Sequence, residues 1–256
     1  MNEIIQIPKN FNPQENCLKD KVILITGTGD GIGATAAKTF AKYGATIILL
    51  SKTEKKIIDV YDDIVNAGHP QPAIITLNLE EATANDYAGL AQTIENEFGH
   101  LDGLLHNAAM FEGLSPISQF DNKIWERTVK VNLHAPFWLS QAMIPLLNKS
   151  KSSSMVFTSS GVAHQGRAYW GAYGVTKAAG DNLMGILADE LENNTPIRVN
   201  SIDPGRVRTR MRALAFPGED PFTIPAPSEI MDAYIYLMSD ESKDVNGKII
   251  ACSKST

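Results

Sequence analysis

The sequence is poor in the features that mark disulfide-rich proteins and metalloproteins. Its 256 residues include only two cysteines, Cys17 and Cys252, which lie near opposite ends of the chain. Two isolated thiols provide neither a disulfide framework nor a metal-binding motif. We therefore expect both cysteines to be free thiols, and we expect no metal site.

Long apolar runs and a strong net charge are also lacking. No stretch reaches the roughly 18 uninterrupted apolar residues that a membrane-spanning helix needs. Residues 1–20 have neither the cationic start nor the apolar run of a signal peptide. The net charge is −6 and the isoelectric point is near 5.4, which argues against a nucleic-acid partner. We expect a cytoplasmic protein that binds neither membranes nor nucleic acid.

Short apolar runs alternate with segments of helical periodicity along the chain. The apolar runs predict seven strands, at residues 22–25, 45–50, 73–77, 101–106, 155–158, 197–202 and 248–251. One helix is predicted to begin at Ile32 and to end at Gly44, and a second to begin after Thr53, its predicted N-cap, and to end at Gly68. Further helices are predicted over residues 87–98, 125–147, 172–191 and 227–239. The alternation predicts an α/β fold with a Rossmann-like doubly wound sheet, about seven parallel strands and helices on both faces.

The chain shows no internal linker, and its hydrophobic fraction of 43% is ample for one large core. We interpret residues 21–256 as a single domain that follows an N-terminal extension, residues 1–20. The long helix over residues 125–147 is expected to bend near Pro136 or Pro145. Residues 209–227 contain four prolines and no regular pattern, so they are predicted to form a substrate loop or lid.

A glycine-rich turn follows the first predicted strand and opens the first predicted helix. Residues 26–33 read TGTGDGIG, so that Gly27, Gly31 and Gly33 have the spacing Gly-x-x-x-Gly-x-Gly. Glycine permits a tight turn and the close approach of a pyrophosphate, while the helix N-terminus offers free N–H groups and a partial positive charge. This context predicts dinucleotide binding; a plain strand-to-helix turn is the alternative that the glycines alone leave open.

Three further segments, in the same order, make the chain resemble the short-chain dehydrogenase/reductase family. HNAA at residues 106–109 resembles the family's Asn-Asn-Ala-Gly, with Ala109 in place of the glycine. Asn132 matches the family's helix asparagine, and PGRVRT at residues 204–209 matches its Pro-Gly-x-x-x-Thr segment. The resemblance covers nearly the whole chain, from Lys21 to about Ala251. It implies an enzyme that transfers a hydride between a nicotinamide cofactor and a small-molecule substrate.

The end of the second strand indicates which dinucleotide is bound. An acidic residue there would accept hydrogen bonds from the ribose 2′-OH and repel a 2′-phosphate. The strand instead ends in Ser51 and Lys52, a donor and a cation, so we predict a preference for NADP(H) over NAD(H). A merely surface role for Lys52 leaves NAD(H) open.

Two positions depart from the family pattern. Asp30 stands where NADP-preferring members often carry a basic residue, and Asn78-Leu79 replaces the usual pair of an aspartate and an apolar residue. The side-chain carbonyl of Asn78 can still accept a hydrogen bond from an adenine amino group. The motifs and strand ends together predict these cofactor contacts: Gly27, Asp30, Gly31, Ile32, Gly33, Ser51, Lys52, Asn78, Leu79, Asn107, Ala108, Tyr173, Lys177, Pro204, Gly205, Val207 and Thr209.

Tyr173 and Lys177 stand four residues apart in a predicted helix, a spacing that places them on one helix face. When a carbonyl is reduced, the developing alkoxide must receive a proton, which a phenol can donate. A lysine cation about 4–5 Å away stabilises the phenolate by roughly 3–4 kcal/mol before burial opposes it. We therefore expect Lys177 to lower the pKa of Tyr173 toward the operating pH.

The resemblance implies the remaining roles at this site. Lys177 would also bond the nicotinamide ribose, Ser160 would bond and orient the substrate oxygen, and Asn132 would hold a water that links Lys177 to bulk solvent. The predicted catalytic set is therefore Asn132, Ser160, Tyr173 and Lys177. Tyr169 has no lysine at the family's offset and is not expected to act.

Two segments resemble a narrower bacterial subgroup, the YciK-like oxidoreductases: QGRAYWGAY at residues 165–173 and MRALAFPGEDP at residues 211–221. Arg167 is a candidate contact for an anionic substrate group, with a solvent-facing arginine as the alternative. Helix 172–191 carries apolar residues on more than one side, which in this family indicates a homodimer or homotetramer. Burial of those residues within one subunit is the alternative.

The sequence thus predicts an NADP(H)-dependent oxidoreductase that interconverts a small-molecule carbonyl and a secondary alcohol. Two alternatives remain open: the same chemistry with NAD(H), and a non-catalytic dinucleotide-binding sensor. The complete set of Ser160, Tyr173 and Lys177 favours an enzyme, because a sensor needs no placed proton donor. The sequence does not indicate the natural substrate.

Overall fold

The structure, a computed structural model, describes residues 3–252. Within that range lie eight strands: β1 (Ile4–Ile5), β2 (Val22–Thr26), β3 (Thr46–Ser51), β4 (Ala73–Thr76), β5 (Gly103–His106), β6 (Ser153–Thr158), β7 (Ile197–Asp203) and β8 (Ile249–Ala251). The α-helices are α1 (Gly31–Lys42), α2 (Glu54–Asn66), α3 (Ala84–Phe98), α4 (Asn122–Val129), α5 (Ala135–Leu147), α6 (Gly161–His164), α7 (Gly171–Leu191), α8 (Arg210–Ala215) and α9 (Met231–Met238). None of the helices described combines the length and apolar character needed to cross a bilayer.

The strands form one parallel sheet in the order β1-β8-β7-β6-β5-β2-β3-β4. The predicted fold class is therefore confirmed, with one strand more than the seven expected. The additional strand is β1, in which Ile4 pairs with Ile249 and Ile5 with Ile250 at the sheet edge. Two residues are too few to show a hydrophobic period, so the sequence pattern did not reveal this strand.

Both faces of the sheet are covered, as expected for parallel strands made of unbroken apolar runs. Ile23 and Ile25 of β2 belong to a core cluster with side chains of α1, α2 and α9. Leu24, which points to the opposite face, belongs to a second cluster with side chains of α3, α5 and α7. The carboxyl ends of the central strands are thus held rigidly between two packed layers.

The helix predicted over residues 125–147 is divided into α4 and α5 by a π-helical turn at Lys130–His134. The π turn precedes Pro136, which has no backbone N–H to donate to the preceding turn of this continuous helix. Pro145 lies inside α5. The irregularity therefore falls on the turn that contains Asn132, and π-helical turns are frequent at functional sites.

The segment between β7 and α9 is more ordered than its prolines suggested. Thr209 caps α8 by accepting a hydrogen bond from the backbone N–H of Arg212. Two 3₁₀ turns follow, at Pro221–Thr223 and Pro227–Ile230, and the second leads into α9. The expectation of an irregular stretch over residues 209–227 was wrong for α8, because a six-residue helix is too short to show a clear period.

Candidate active site

A cleft of about 820 Å³ lies at the carboxyl ends of the central strands. Ligands bind at this edge in open parallel sheets because loops and helix N-termini converge there. The predicted residues that line the cleft are Gly27, Asp30, Gly31, Ile32, Ser51, Lys52, Asn78, Leu79, Asn107, Ala108, Ser160, Tyr173, Lys177, Pro204, Gly205, Val207 and Thr209. Gly33 and Asn132 are not part of this lining. Asn132 instead borders a small adjoining cavity of about 20 Å³ together with Lys177.

Gly33 acts by packing. A Cβ atom at this position would lie 2.2 Å from the carbonyl oxygen of Gly27 and 2.5 Å from the Asn107 Nδ2 atom. No side chain fits that space, so α1 begins in direct contact with the turn that follows β2. Gly27 itself has a φ of +73° and lies against the backbone of Ala108. The close approach keeps the N-terminal turn of α1 beside the cleft, where free N–H groups attract an anion.

Thr26 is a functional position that the sequence reasoning missed. Its Oγ1 atom accepts hydrogen bonds from the backbone N–H groups of Asn107 and Ala108, both at 3.0 Å. Asn107 returns a bond from Nδ2 to the Thr26 carbonyl oxygen at 3.2 Å. These contacts tie the segment after β5 to the end of β2. A threonine at the end of an apolar run, before a glycine turn, is the signal that was available.

The far end of the cleft contains a cation that the sequence reasoning also missed. Lys56, in the first turns of α2, lines the cleft and its Nζ atom lies 2.6 Å from the Asp30 carboxylate. Lys52 lies four residues before Lys56, just ahead of Thr53, the N-cap of this helix. The Asp30 carboxylate therefore has a neighbouring cation as its partner.

Asn78 is engaged in a local turn. Its Oδ1 atom accepts a hydrogen bond from the backbone N–H of Glu80 at 3.2 Å. A carbonyl oxygen has two lone pairs, so one acceptor position remains for a ligand. Glu80 in turn forms a two-bond ion pair with Arg127 at 2.6 and 3.2 Å. Hydrogen bonding to that guanidinium lowers the pKa of the Glu80 carboxyl group.

Tyr173 and Lys177 are both buried, each with 8% of its surface exposed, and both face the cleft from α7. The Lys177 Nζ atom lies 5.7 Å from the centre of the Tyr173 ring and donates a hydrogen bond to the Thr158 carbonyl oxygen at 2.6 Å. Ser160 lies close enough to Tyr173 for its hydroxyl group to act on the pKa of the phenol. The structure therefore brings the three side chains together, from the end of β6 and one face of α7.

The expected lowering of the tyrosine pKa is not observed. Burial raises the pKa of Tyr173 to about 12, although the hydrogen bond with Ser160 acts in the opposite direction. Burial also lowers the pKa of Lys177 to about 8, against the effect of the nearby Asp181. Removing the phenolate and the ammonium from water outweighs the interactions that would stabilise them. At neutral pH the pair is a protonated tyrosine and a lysine cation, the state suited to donating a proton.

Asn132 is held by three hydrogen bonds. Its Oδ1 atom accepts from the backbone N–H of Met110 at 2.7 Å, and its Nδ2 atom donates to the Met110 carbonyl oxygen at 3.0 Å and to Thr176 Oγ1 at 3.1 Å. These bonds connect the π-helical turn to α7 and to the strand end after β5. Both amide hydrogens are used, so only the second lone pair of Oδ1 is available for a further donor.

A group of buried polar residues lies behind Ser160. Asp181 accepts a hydrogen bond from Ser159 Oγ at 2.6 Å, and burial raises the pKa of its carboxyl group. His164 lies between two carboxylates, with Nδ1 3.6 Å from Asp181 Oδ2 and Nε2 3.6 Å from Asp203 Oδ2. Arg167, by contrast, is exposed and is not part of the cleft lining. The structure therefore gives no support to a contact between Arg167 and a substrate.

Comparison with known proteins agrees with these observations. Residues 21–220 match the family described as short chain dehydrogenase. The uncharacterized oxidoreductase YciK of Escherichia coli K12 is 44% identical over 238 residues, which are 93% of this chain and 94% of that protein. The resemblance seen in the sequence is thereby confirmed.

Solved structures agree as well. A short chain dehydrogenase from Salmonella enterica serovar Typhi superposes with a TM-score of 0.93 at 44% identity, covering 95% of this chain and 100% of that one. A structure from Escherichia coli CFT073, of a short chain dehydrogenase complexed with NADPH, has a TM-score of 0.92 at 44% identity and covers 94% of this chain and 100% of that one.

Proposed function

Because the chain belongs to the short chain dehydrogenase family, we propose that it is an NADP(H)-dependent enzyme that interconverts a carbonyl compound and a secondary alcohol. The observation that carries this proposal is that Ser160, Tyr173 and Lys177 line the same cleft as the glycine turn at residues 27–31. A proton donor beside a dinucleotide cradle has a direct use in hydride transfer.

The residues present fit a dinucleotide. A Cβ atom at Gly33 or Gly27 would collide with backbone, so the absence of a side chain lets α1 begin directly against the turn after β2. The N-terminus of α1 is thereby held beside the cleft, where a pyrophosphate can approach it. Asn107 and Ala108 are fixed by Thr26 at the middle of the cleft. Thr209 would hold the carboxamide of the nicotinamide from the opposite wall, as the family resemblance implies.

Ser51, Lys52 and Lys56 support a preference for the phosphorylated dinucleotide. All three line the end of the cleft beyond β3, where the adenosine ribose of a dinucleotide lies in this fold. Lys52 is exposed, and Lys56 is balanced by Asp30, so the net charge that Lys52 adds is available to a 2′-phosphate. The relative from Escherichia coli CFT073 solved with NADPH is consistent with this assignment.

The reaction requires one hydride and one proton. When bound, NADPH would supply a hydride to the carbonyl carbon, so that the C=O double bond would become a C–O single bond. Tyr173 donates its phenolic proton to the oxygen, which Ser160 holds by a hydrogen bond. The Lys177 cation stabilises the resulting phenolate and returns a proton to it. In the oxidative direction each of these transfers is reversed.

Proton supply to Lys177 is proposed to pass through the cavity beside Asn132. This cavity, of about 20 Å³, is bordered by Lys177, Asn132 and Thr176. A space of that size accommodates about one water molecule. The free lone pair of Asn132 Oδ1 can accept a hydrogen bond from it, which is the arrangement a relay needs.

Titration of the purified protein with NADPH and with NADH, followed by thermal shift, tests the cofactor assignment. A ligand at about 100 times its Kd adds roughly 2.7 kcal/mol to the free energy of unfolding, which is readily detected. We expect a larger shift with NADPH. Lys52→Asp should weaken NADPH binding by roughly 10- to 100-fold, the range for loss of a charge-assisted hydrogen bond, and should favour NADH.

Lys55→Asp is the matched control, since Lys55 is exposed three residues further along the chain, in the first turn of α2, and does not line the cleft. It makes the same change in net charge. Unaltered affinities in Lys52→Asp, or equal losses in both variants, would show that Lys52 does not contact the phosphate. The absence of any shift with either nucleotide would overturn the proposed function itself.

We also propose that the chain forms a homodimer or homotetramer through α5 and α7. Phe137 of α5 is 46% exposed, and Val175 and Ile186 of α7 are 54% and 50% exposed. Large apolar side chains that remain exposed to water on long, well-packed helices are typical of a subunit interface. A monomeric mass by light scattering would exclude this assembly.

A further inference from the structure

The substrate end of the cleft has an aromatic wall, formed by Phe111, Trp170 and Phe216. The rings of Phe111 and Trp170 are stacked with their centres 5.2 Å apart, and the Phe216 ring centre lies 6.1 Å from that of Trp170. Phe111 and Trp170 line the cleft directly. The Tyr173 ring completes the group, at 5.5 Å from Phe111 and 5.6 Å from Trp170. A cluster of aromatic rings therefore adjoins the proton donor.

The segments that carry this wall are fastened to one another. The backbone N–H of Ser115 donates to the Tyr169 carbonyl oxygen at 3.0 Å, which joins the segment after β5 to the segment before α7. A Cβ atom on Gly171 would lie 2.4 Å from the Phe120 ring, so these two segments also touch beside α7. Trp170 is thus held in place from both sides, and the wall is a preformed surface.

Two of the charged side chains near the aromatic wall, Arg212 and Glu112, are held in ion pairs. Arg212 lies flat on the Phe216 ring at 3.7 Å and forms two bonds with Glu219, at 2.6 and 2.7 Å. Glu112, next to Phe111, lies 3.1 Å from Arg127. A charged substrate group that bound Arg212 or Glu112 would have to break an ion pair, whereas Arg210, which also lines the cleft, is exposed to water. An uncharged apolar group has no such cost and gains contact with the rings.

From this arrangement we propose that the substrate carries an uncharged aromatic group directly beside its carbonyl, and that this group binds against Phe111 and Trp170. The inference rests on the proposed function, since Tyr173 and Ser160 set where the carbonyl lies. The ring centres of Phe111 and Trp170 are within 5.6 Å of the Tyr173 ring. The group that contacts them must therefore be attached close to the reacting carbon.

The test compares four carbonyl compounds with NADPH as reductant. These are 1-phenyl-1,2-propanedione, its small analogue 2,3-butanedione, the aryl anion phenylglyoxylate, and the hydrophilic dihydroxyacetone. We expect kcat/KM for the phenyl dione to exceed each of the other three by about tenfold or more, the range for burying one aromatic group. Faster reduction of phenylglyoxylate or dihydroxyacetone would overturn the proposal.

Variants of Trp170 test whether the preference for the phenyl dione depends on the aromatic wall. Trp170→Ala should lower kcat/KM for the phenyl dione at least tenfold more than for butanedione, while Trp170→Phe should restore most of the difference. Phe222→Ala is the control, because Phe222 is 83% exposed and packs on Arg208 outside the wall. Equal losses for both diones in Trp170→Ala would show that Trp170 has only a structural role.

Binding without turnover separates this inference from the proposed function. Saturation-transfer NMR on the protein with NADP⁺ would compare 1-phenylethanol with 2-butanol. One outcome is that the wild type binds the phenyl alcohol, that Trp170→Ala abolishes this binding, and that the protein nevertheless reduces none of the four carbonyls. That result would support the aryl site and refute the proposed reaction. No preference for the phenyl alcohol and no reduction of the phenyl dione would refute the aryl site.

Discussion

The half of the cleft between β2 and β4 is lined by glycine backbone and by exposed ion pairs, whereas the half between β6 and α7 is lined by buried side chains. In the first half, Gly33 leaves no room for a Cβ atom and Asp30 pairs with Lys56 at the surface. In the second half, Tyr173 and Lys177 line the cleft and Asp181 lies behind it, and each of the three is at least nine-tenths buried. The first half thus suits a large ligand that brings its own charge, and the second suits chemistry away from water.

The two halves of the cleft differ in their effect on the stability of the fold. The backbone half needs only the small side chains that let α1 approach β2. The buried half contains three titratable groups whose pKa values are shifted by burial in the direction that disfavours the charged form. Burial of that kind lowers stability, and such shifts cluster at functional sites. This contrast supports the proposed division, in which one half binds the cofactor and the other transfers the proton.

The largest effect is expected from Tyr173→Phe, which should separate the two halves cleanly. Removing the phenolic proton donor should lower kcat by about 10²- to 10⁴-fold, the usual contribution of a positioned acid. NADPH affinity, measured by fluorescence titration, should change little because the glycine turn is untouched. Tyr169→Phe is the control, since Tyr169 is 55% exposed. Turnover near the wild-type value in Tyr173→Phe would remove Tyr173 from the mechanism.

Gly33→Ala should act on the other half. The added methyl group would collide with the Gly27 carbonyl oxygen, and overpacking of this kind costs about 1–3 kcal/mol of stability. The displaced turn should also bind NADPH about tenfold more weakly or worse, since a loss of about 1.4 kcal/mol corresponds to a factor of ten. Urea denaturation and NADPH titration measure the two effects.

Gly89→Ala serves as the control for that variant. Gly89 lies within α3, and a Cβ atom there would have no neighbour within 4 Å. Alanine in an open helical position should stabilise the chain by up to about 1 kcal/mol. If Gly33→Ala behaved like Gly89→Ala in both measurements, the contact between α1 and β2 would not shape the cofactor half.

The two halves were also unequally visible in the sequence. Glycine spacing, apolar strand runs and the Tyr173–Lys177 interval are local patterns, so the fold class and the residues that line the cleft could be predicted from them. The ion pair of Lys56 with Asp30 joins residues 26 positions apart, and Thr26 bonds residues more than 80 positions away. Contacts of that range depend on the assembled sheet, and no local period records them.

The pKa of Tyr173 shows a different limit of sequence reasoning. The interval between Tyr173 and Lys177 correctly places a cation near the phenol, but the sign of the pKa shift depends on how completely the assembled fold removes both groups from water. Both side chains are buried where α7 meets the end of β6, so the cost of removing their charged forms from water exceeds the attraction between the two charges. A short motif contains the partners and their spacing, and it contains no measure of burial.

The last prediction concerns the stability that the fold loses because Lys177 is buried. Burial lowers the pKa of Lys177 from 10.5 to about 8. Between those values the unfolded chain binds a proton that the folded chain does not, so the lysine's contribution to stability rises with pH across this window. Below it, the buried cation costs on the order of 3 kcal/mol. Lys177→Met should therefore be about 1–3 kcal/mol more stable than the wild type near pH 7, after loss of the bond to the Thr158 carbonyl oxygen.

Urea denaturation at about pH 7 and about pH 10 measures that difference, with the exposed Lys55→Met as the control. The gap between Lys177→Met and the wild type should narrow at the higher pH, because the wild-type lysine is then neutral in the folded state. If the difference in stability between Lys177→Met and the wild type stayed constant with pH, the added stability would come from methionine packing. A variant less stable than the wild type at the lower pH would mean that the Lys177 cation is stabilised where it lies, and the contrast between a binding half and a strained catalytic half would fail.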